Sequence, residues 1–174
     1  MELRNKWSGS KLTRILAWSF TAVWMLAIFI LSAQPGNQSG NLSLSVTQLL
    51  VRFVSLIVPL NQENIANPDW LNNFNGLIRE CAHGAAYFVL ALLAANALKK
   101  HSLKGLKLIL LTLAFCAVYA ASDEIHQLFV SGRACELFDF EVDMLGAALS
   151  MILFQIVSFL AGKIRRRTAG SHAK

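Results

Sequence analysis

Charged side chains are scarce in this sequence: they make up 15% of its residues, whereas apolar residues make up 55%. Disordered chains show the opposite balance, and a soluble domain of this size has more charge, so both classes are excluded. Three cysteines are too few for a disulfide framework. The sequence also lacks a nucleophilic serine or cysteine beside a base, a glycine-rich phosphate loop, and a basic, aromatic face for nucleic acid. These absences favour an integral membrane protein.

Four apolar segments are long enough to cross a bilayer, which takes about 20 helical residues. They cover about 12–32, 82–98, 106–128 and 142–161. A secretory signal peptide is the alternative for the first segment, but Leu31 and Ala33 make a poor cleavage site. The bulky Trp18, Phe20 and Trp24 also suit a retained helix better. The sequence therefore predicts an all-α integral membrane fold, a bundle of four transmembrane helices.

The basic residues indicate how this bundle is oriented. Thirteen of the 16 lie before the first span, in the turn between the second and third spans, or in the tail 163–174. Only Arg52, Arg79 and Arg133 lie on the other side, together with nine of the ten acidic residues. By the positive-inside rule, both termini are predicted to be cytoplasmic. The net charge of +6 is thus a topology signal, and no nucleic-acid partner is expected.

The first outer segment, residues 33–80, is predicted to hold an additional helix. A turn-rich stretch at 35–41 is followed by the mostly apolar stretch 42–60, and 61–78 is predicted to be an exposed loop. Within 42–60, polar residues spaced by three or four form one narrow stripe: Ser45, Gln48, Arg52 and Ser55. This pattern favours an interfacial or re-entrant amphipathic helix. A fifth span is the alternative, and it would move the lysines of 99–107 to the outer side.

Polar residues suited to binding or catalysis lie at the outer ends of three spans. Ionisable groups inside a membrane are costly, so they suggest function. Residues spaced by four share a helix face, so each span is expected to present its polar groups on one side. Tyr87 shares the face of Arg79 and His83 but is assigned to packing. The nine polar site residues are Arg79 and His83 on the second span, Asp123, Glu124, His126 and Gln127 on the third, and Asp139 and Asp143 on the fourth, with Arg133 in the loop between the last two. Together they predict one polar pocket that binds a ligand.

Several chemical interpretations of this pocket are open. His83 could be a packed helix-end histidine, Asp139 and Asp143 could complement a helix dipole, and the 123–127 cluster could be a salt-bridge network. The summed charge has an excess of two negative charges, which a cation or an amine-bearing ligand would balance. A divalent cation is an alternative, although no tight ligand motif is present. Catalysis would use His126 as base with Asp123 or Glu124.

The sequence resembles the VanZ-like family of small bacterial membrane proteins in three blocks, of which the third is the most distinctive. The blocks are Ile30-Leu31-Ser32-Ala33-Gln34-Pro35-Gly36, then Arg79-x-x-x-His83-x-x-x-Tyr87, and finally Tyr119 through Ser122-Asp123-Glu124-x-His126-Gln127-x-Phe129 to Gly132-Arg133, Asp139, Asp143 and Gly146. The chain departs from the family at Ser131, where proline is frequent, and at Ser150, where glycine is common. Gly84 and Ala86 also replace the usual phenylalanine and acidic residue.

The resemblance implies a multi-pass protein of the bacterial cytoplasmic membrane, formed by a single VanZ-like domain over 1–174. The family's founding member is associated with low-level teicoplanin resistance. The leading hypothesis is a pocket on the outer face that binds a lipid-linked precursor or a glycopeptide-type ligand. A membrane-embedded hydrolase or transferase acting on a lipid head group, and a structural partner in the envelope, are the alternatives. Cys81 and Cys135 both lie outside in this topology, where a bridge is feasible but not required.

Overall fold

The computed structural model describes residues 2–57 and 67–171, and within them the chain forms five α-helices and no strand. The helices are α1 (Glu2–Ser32), α2 (Gly36–Ser55), α3 (Pro68–Lys99), α4 (Gly105–Gln127) and α5 (Leu137–Ser171). Over the same residues, four helices are long and apolar enough to cross a membrane: α1 from Lys11 onward, α3, α4, and α5 as far as Ala161. The predicted all-α fold with four candidate spans is confirmed.

The second span belongs to a helix much longer than predicted. The loop expected over 61–78 is wrong from Pro68 onward, since α3 begins there, and 58–66 lie outside the described residues. The Asn67 side chain caps the helix by accepting a hydrogen bond from the Asp69 amide at 2.9 Å, and proline suits the first helical position. At 1.5 Å per residue, the 32 residues of α3 extend about 48 Å, against about 30 Å for the hydrocarbon layer.

The excess length of α3 is too great to be absorbed by tilting. A tilt of about 51° would be needed, whereas membrane helices tilt by about 40° at most. The first turns of α3 therefore project beyond the apolar layer. The N-terminal part of α3 also carries Asn75, whose side-chain oxygen accepts a hydrogen bond from the Thr47 hydroxyl of α2 at 3.1 Å. The N-terminal part of the long helix thus supports α2.

Helix α2 is the additional helix between the first two candidate spans. It begins at Gly36, so the turn-rich loop expected at 35–41 is wrong after Pro35, a residue that commonly precedes a helix. The predicted polar stripe is exposed, and the buried face of α2 is formed by Thr47 and Val51 instead. The α2 helix is not among the described helices that are apolar enough to cross a membrane, so a fifth span is not supported.

The centre of the bundle is α3, which packs against each of the other four helices and most extensively against α5. Its buried face is rich in alanine, a residue small enough to let neighbouring helix backbones approach closely. The fully buried residues of this face are Leu90, Ala91, Ala94, Ala95 and Ala97. Leu90, Ala91 and Ala95 belong to a core cluster that also includes Ile28, Tyr87, Cys116, Ala120, Ala147 and Met151.

Helix α1 is attached to its neighbours by hydrogen bonds at two levels. In the middle, Trp24 donates to the Ala86 carbonyl at 2.9 Å, and the Tyr119 hydroxyl donates to the Met25 carbonyl at 2.6 Å. Near the start of the candidate span of α1, which begins at Lys11, Arg14 donates to the Lys100 carbonyl at 3.1 Å. The start of this span therefore lies beside the lysine-rich turn between α3 and α4. We refer to this side of the molecule as the basic end, and to the opposite side as the acidic end.

Replacing Tyr119 with phenylalanine is expected to lower the free energy of unfolding by about 1 kcal/mol, because one interhelical hydrogen bond is lost from a site with little water. The shift would be measured as the midpoint of unfolding of the purified protein in a titration with sodium dodecyl sulfate. Ser122→Ala is the matched control, since the exposed Ser122 hydroxyl bonds only within its own helix, to the Tyr119 carbonyl. Equal midpoints for the two variants would contradict a stabilising Tyr119–Met25 bond.

Candidate functional site

Predicted site residues of α3, α4 and α5 lie at the same depth in the bundle. His83 is sixteen residues before the end of α3, Asp123 is eighteen after the start of α4, and Asp143 is eighteen before Ala161. At 1.5 Å per residue, these separations correspond to about 24–27 Å from the basic end. In a hydrocarbon layer about 30 Å thick, that is close to the opposite boundary. Polar groups from three helices therefore share one level near the acidic end.

A cavity of about 200 Å³ opens at this level between α1, α2 and α3, with single contributions from α4 and from the loop after it. Most of its wall is apolar, and includes Ile28, Leu31, Leu42, Val46 and Ile78. The polar residues on the wall are Ser32, Gln34, Ser39, Ser43, Arg79, His83, Tyr87, Asp123 and Arg133. Four predicted site residues therefore face one cavity: Arg79, His83, Asp123 and Arg133.

Two guanidinium groups give the cavity a cationic side. Arg133 is held by a hydrogen bond from its Nε to the Gln34 carbonyl at 3.3 Å. Arg79 contacts Glu80 through Nη2 at 3.4 Å, while its buried Nε has no hydrogen-bond partner among the described residues. Burial and the neighbouring Arg79 charge lower the pKa of Arg133, yet a guanidinium stays protonated at neutral pH. Two like charges close together indicate a place for an anion.

His83 connects the cavity to a carboxylate behind it. The side chain lines the cavity, and its Nδ1 lies 3.6 Å from Oδ1 of Asp143. That separation is within ion-pair range but longer than a strong hydrogen bond. Asp143 is completely buried, and among the described residues neither of its oxygens has a hydrogen-bond partner. His83 is therefore the ionisable group that separates this buried carboxylate from the cavity.

A close crossing of α3 and α5 brings the His83–Asp143 pair together. A side chain at Gly146 would collide with the Gly84 carbonyl oxygen, so the two backbones touch there. Gly84 follows His83 directly, and Gly146 is three residues, about one turn, after Asp143. Contact between the two glycines therefore places Asp143 beside His83. The absence of a side chain at Gly146 supplies the space for this contact, whereas a side chain at Gly84 would meet Val142 at about van der Waals distance.

A second group of buried polar atoms lies on the cavity wall near α4. Asp123 is 3% exposed, Ser32 is 5% exposed and Tyr87 is 1% exposed. In the described part of the chain, none of these atoms makes a well-formed hydrogen bond, although the Ser32 hydroxyl and the Gln127 amide lie near the Asp123 carboxylate. Buried polar groups without partners are costly in a protein, and more so within a membrane. Their position on the cavity wall makes them available to a ligand.

The remaining predicted site residues do not line the cavity. Glu124 is buried and accepts hydrogen bonds from the Glu136 amide at 2.9 Å and from Gln127 at 3.4 Å. The His126 ring packs against the Phe29 ring in a tilted arrangement, with the centroids 4.5 Å apart. Asp139, 4% exposed, is also outside the cavity wall. The convergence expected of all nine predicted residues is thus only partial.

The net charge of the residues that line the cavity is positive, whereas the sequence predicted an excess of two negative charges. Two arginines and one aspartate line the wall, and the prediction had also counted Glu124, Asp139 and Asp143, which do not. Over the described residues, no three His, Cys, Asp or Glu side chains are close enough to hold a metal ion. Cys81 and Cys135 are both exposed and are not bridged.

A comparison with known protein families now identifies the group to which this architecture belongs. The profile of the family described as VanZ/LLP1 matches residues 17–158, which is most of the chain. The chain belongs to the VanZ/LLP1 family. The matched region contains the three sequence blocks of the resemblance and every residue that lines the cavity. Comparisons of this VanZ/LLP1 chain with curated proteins and with solved structures found no match.

Several cavity residues of this VanZ/LLP1 member were absent from the predicted site. Ser32 and Gln34 both lie in the first sequence block, which could have identified them. Ser39 and Ser43 were missed because the first was expected in a loop and the second is outside the predicted polar stripe of α2. Tyr87 was assigned to packing, although it shares the face of Arg79 and His83. The spacing of four was the available signal for Tyr87.

Proposed function

We propose that this VanZ/LLP1 protein binds an anionic, lipid-linked component of the cell envelope in the cavity between α1, α2 and α3. The observation that supports this ligand class is the pairing of Arg79 and Arg133 on an otherwise largely apolar wall near one boundary of the membrane. Guanidinium groups bind phosphate with charge-assisted hydrogen bonds. A phosphate or diphosphate head group beside the arginines, with its hydrocarbon chain along the apolar wall, satisfies both features.

The cavity size favours a head group and part of a chain over a large antibiotic. Pockets for drug-sized molecules usually have about 300–1,000 Å³, whereas this cavity has about 200 Å³. A glycopeptide-type ligand would therefore place only its acyl chain inside. We accordingly regard glycopeptide tolerance as a secondary consequence of binding an envelope lipid. Deletion of the gene would then change teicoplanin sensitivity only where the bound lipid is part of the antibiotic's target pathway.

The direction of the bundle in the membrane follows from its charges. Arg14 contacts the turn that contains Lys100, so basic residues from separate chain segments gather at one end. On the positive-inside rule, we place the basic end and both termini in the cytoplasm of a bacterium, with the cavity on the outer face. A lipid-linked precursor that has been flipped across the cytoplasmic membrane would reach it there.

Replacing both Arg79 and Arg133 with glutamine is expected to weaken binding of geranylgeranyl diphosphate at least tenfold, because the double change removes two charged hydrogen-bond donors. Binding would be measured by the quenching of intrinsic tryptophan fluorescence of the purified full-length chain in detergent. Arg52→Gln is the matched control, since Arg52 is an exposed arginine of the same end that does not line this cavity. Geranylgeraniol, which has the same chain but no phosphate, is expected to bind much more weakly.

Two results would contradict the proposal. One is equal affinity of the wild-type protein for geranylgeranyl diphosphate and geranylgeraniol, which would show that the arginines do not select an anion. The other is an affinity for the diphosphate that falls as much in Arg52→Gln as in the double variant, which would indicate unspecific attraction to positive charge.

A further inference from the structure

The His83–Asp143 pair has a geometry that simple ligand binding does not need. Asp143 lies behind His83 and contacts Nδ1, so Nε2 is the ring nitrogen that is free to act on a molecule in the cavity. A buried carboxylate at one imidazole nitrogen fixes the tautomer and stabilises the imidazolium that forms when the other nitrogen takes a proton. This is the arrangement of a general acid–base pair.

We infer that His83 and Asp143 form a catalytic dyad that hydrolyses the diphosphate of a lipid bound in the cavity. The inference rests on the proposed function, since the same arginines hold the diphosphate. Arg79 is four residues before His83 and lies on the same face of α3, so a phosphate bound by its guanidinium is next to the imidazole. Arg133 reaches the same cavity from the loop after α4.

The reaction balances without any further reactant. The oxygen of a water molecule attacks the terminal phosphorus, and one of its protons passes to Nε2 of His83. The bond between that phosphorus and the bridging oxygen breaks, and its electron pair stays on the bridging oxygen. His83 returns the proton to this oxygen, so that lipid monophosphate and inorganic phosphate are the products. The two arginines neutralise the negative charge of the phosphoryl group during transfer.

The base predicted from the sequence alone is less suited to this role. His126 packs against Phe29 and is not part of the cavity wall, and Glu124 accepts a hydrogen bond from the Glu136 amide. His83, by contrast, has both a carboxylate partner and access to the cavity. The candidate base is therefore His83 of α3 and not His126 of α4. Asp143, which does not line the cavity, acts through His83 as a positioning residue.

The inference is tested by incubating the purified full-length protein in detergent with geranylgeranyl diphosphate and measuring the inorganic phosphate that is released. We expect turnover by the wild-type protein and a loss of at least about 100-fold in kcat for His83→Gln. Asp143→Asn should lower kcat by a similar factor with little change in KM, because the substrate contacts are intact. His101→Gln, at the basic end, is the control and should retain full turnover.

Two further substrates define the chemical class. Phosphatidic acid tests whether a lipid phosphate ester is hydrolysed as well as a diphosphate, and inorganic pyrophosphate tests whether the lipid chain is required. Hydrolysis of the isoprenoid diphosphate above the other two supports the inference. Faster hydrolysis of phosphatidic acid or of free pyrophosphate would overturn the assignment to lipid diphosphates.

The outcomes separate this inference from the proposed function. Tight, arginine-dependent binding of geranylgeranyl diphosphate without phosphate release would overturn the dyad and leave the binding proposal intact. Absence of binding would overturn both. Turnover that survives in His83→Gln, while that variant binds with wild-type affinity, would also overturn the dyad. Loss of turnover in a His83→Gln protein with unchanged affinity supports it, because the preserved affinity shows that the cavity is folded.

Discussion

Replacing Gly146 with leucine is expected to prevent the bundle from folding normally. Even a single added carbon at this position would collide with the backbone carbonyl of Gly84, which belongs to a helix interior and has little freedom to move. Overpacking a tight interface costs about 1–3 kcal/mol, and a bulky side chain against a backbone belongs at or above the upper end of that range. Folded proteins are stable by only about 5–15 kcal/mol, so a large part of the margin is lost.

The measurement is the yield of monodisperse protein after detergent extraction and its midpoint of thermal unfolding. Gly146→Ala should show an intermediate loss. Gly76→Ala is the control, since a side chain at Gly76 meets no atom within 4 Å and alanine is the better helix former. That variant should be as stable as the wild type, or slightly more so. A Gly146→Leu protein with normal yield and midpoint would show that α3 and α5 do not touch at Gly84.

Replacing Glu124 with leucine is expected to destabilise the connection between α4 and α5. The Glu124 carboxylate accepts a hydrogen bond from the Glu136 amide, one residue before α5 begins. Without an acceptor, this backbone amide loses its partner, and the Gln127 side chain loses its contact with the same carboxylate. Because this bond is only partly buried, its loss is expected to cost about 1 kcal/mol, as for a typical intramolecular hydrogen bond. The expected result is a lower unfolding midpoint and easier proteolysis of the 128–136 loop.

Glu124→Gln discriminates a supporting role from a catalytic one. The amide oxygen of glutamine can accept the same hydrogen bond, so the stability of this variant should be close to that of the wild type. Lipid binding and phosphate release should then also be preserved. If Glu124→Gln folds normally but loses phosphate release, the carboxylate takes part in the chemistry, and its assignment as a support for α5 is wrong.

The helices and the separation of a basic end from an acidic end could be predicted, because both can be recognised in short stretches of the sequence. Apolar runs of sufficient length and the separation of lysine and arginine from acidic residues can be counted along the chain. The early starts of α2 and α3 were the exceptions. The signal for α3 was present in Asn67-Pro68, a capping residue followed by proline, but the asparagine-rich composition of 61–78 outweighed it.

The set of residues that line the cavity could not be predicted from the sequence, because it depends on how each helix is rotated about its axis relative to its neighbours. The spacing of Asp123 and Gln127 predicts a common face, yet only Asp123 of the two lines the cavity, and Gln127 donates a hydrogen bond to Glu124. The pairing of His83 with Asp143 joins residues sixty positions apart, and it depends on contact between Gly84 and Gly146. No spacing rule along one helix contains that information.

The length of α3 has a consequence for how this protein would respond to its lipid surroundings. The wall of the cavity formed by α2 is attached to the N-terminal part of α3 through Thr47 and Asn75, and to the loop after α4 through the Gly36 amide and the Ser131 carbonyl, 3.1 Å apart. Both attachments are between protein groups. A membrane with longer or shorter acyl chains would therefore change how deeply the bundle is immersed, while the width of the opening would stay the same.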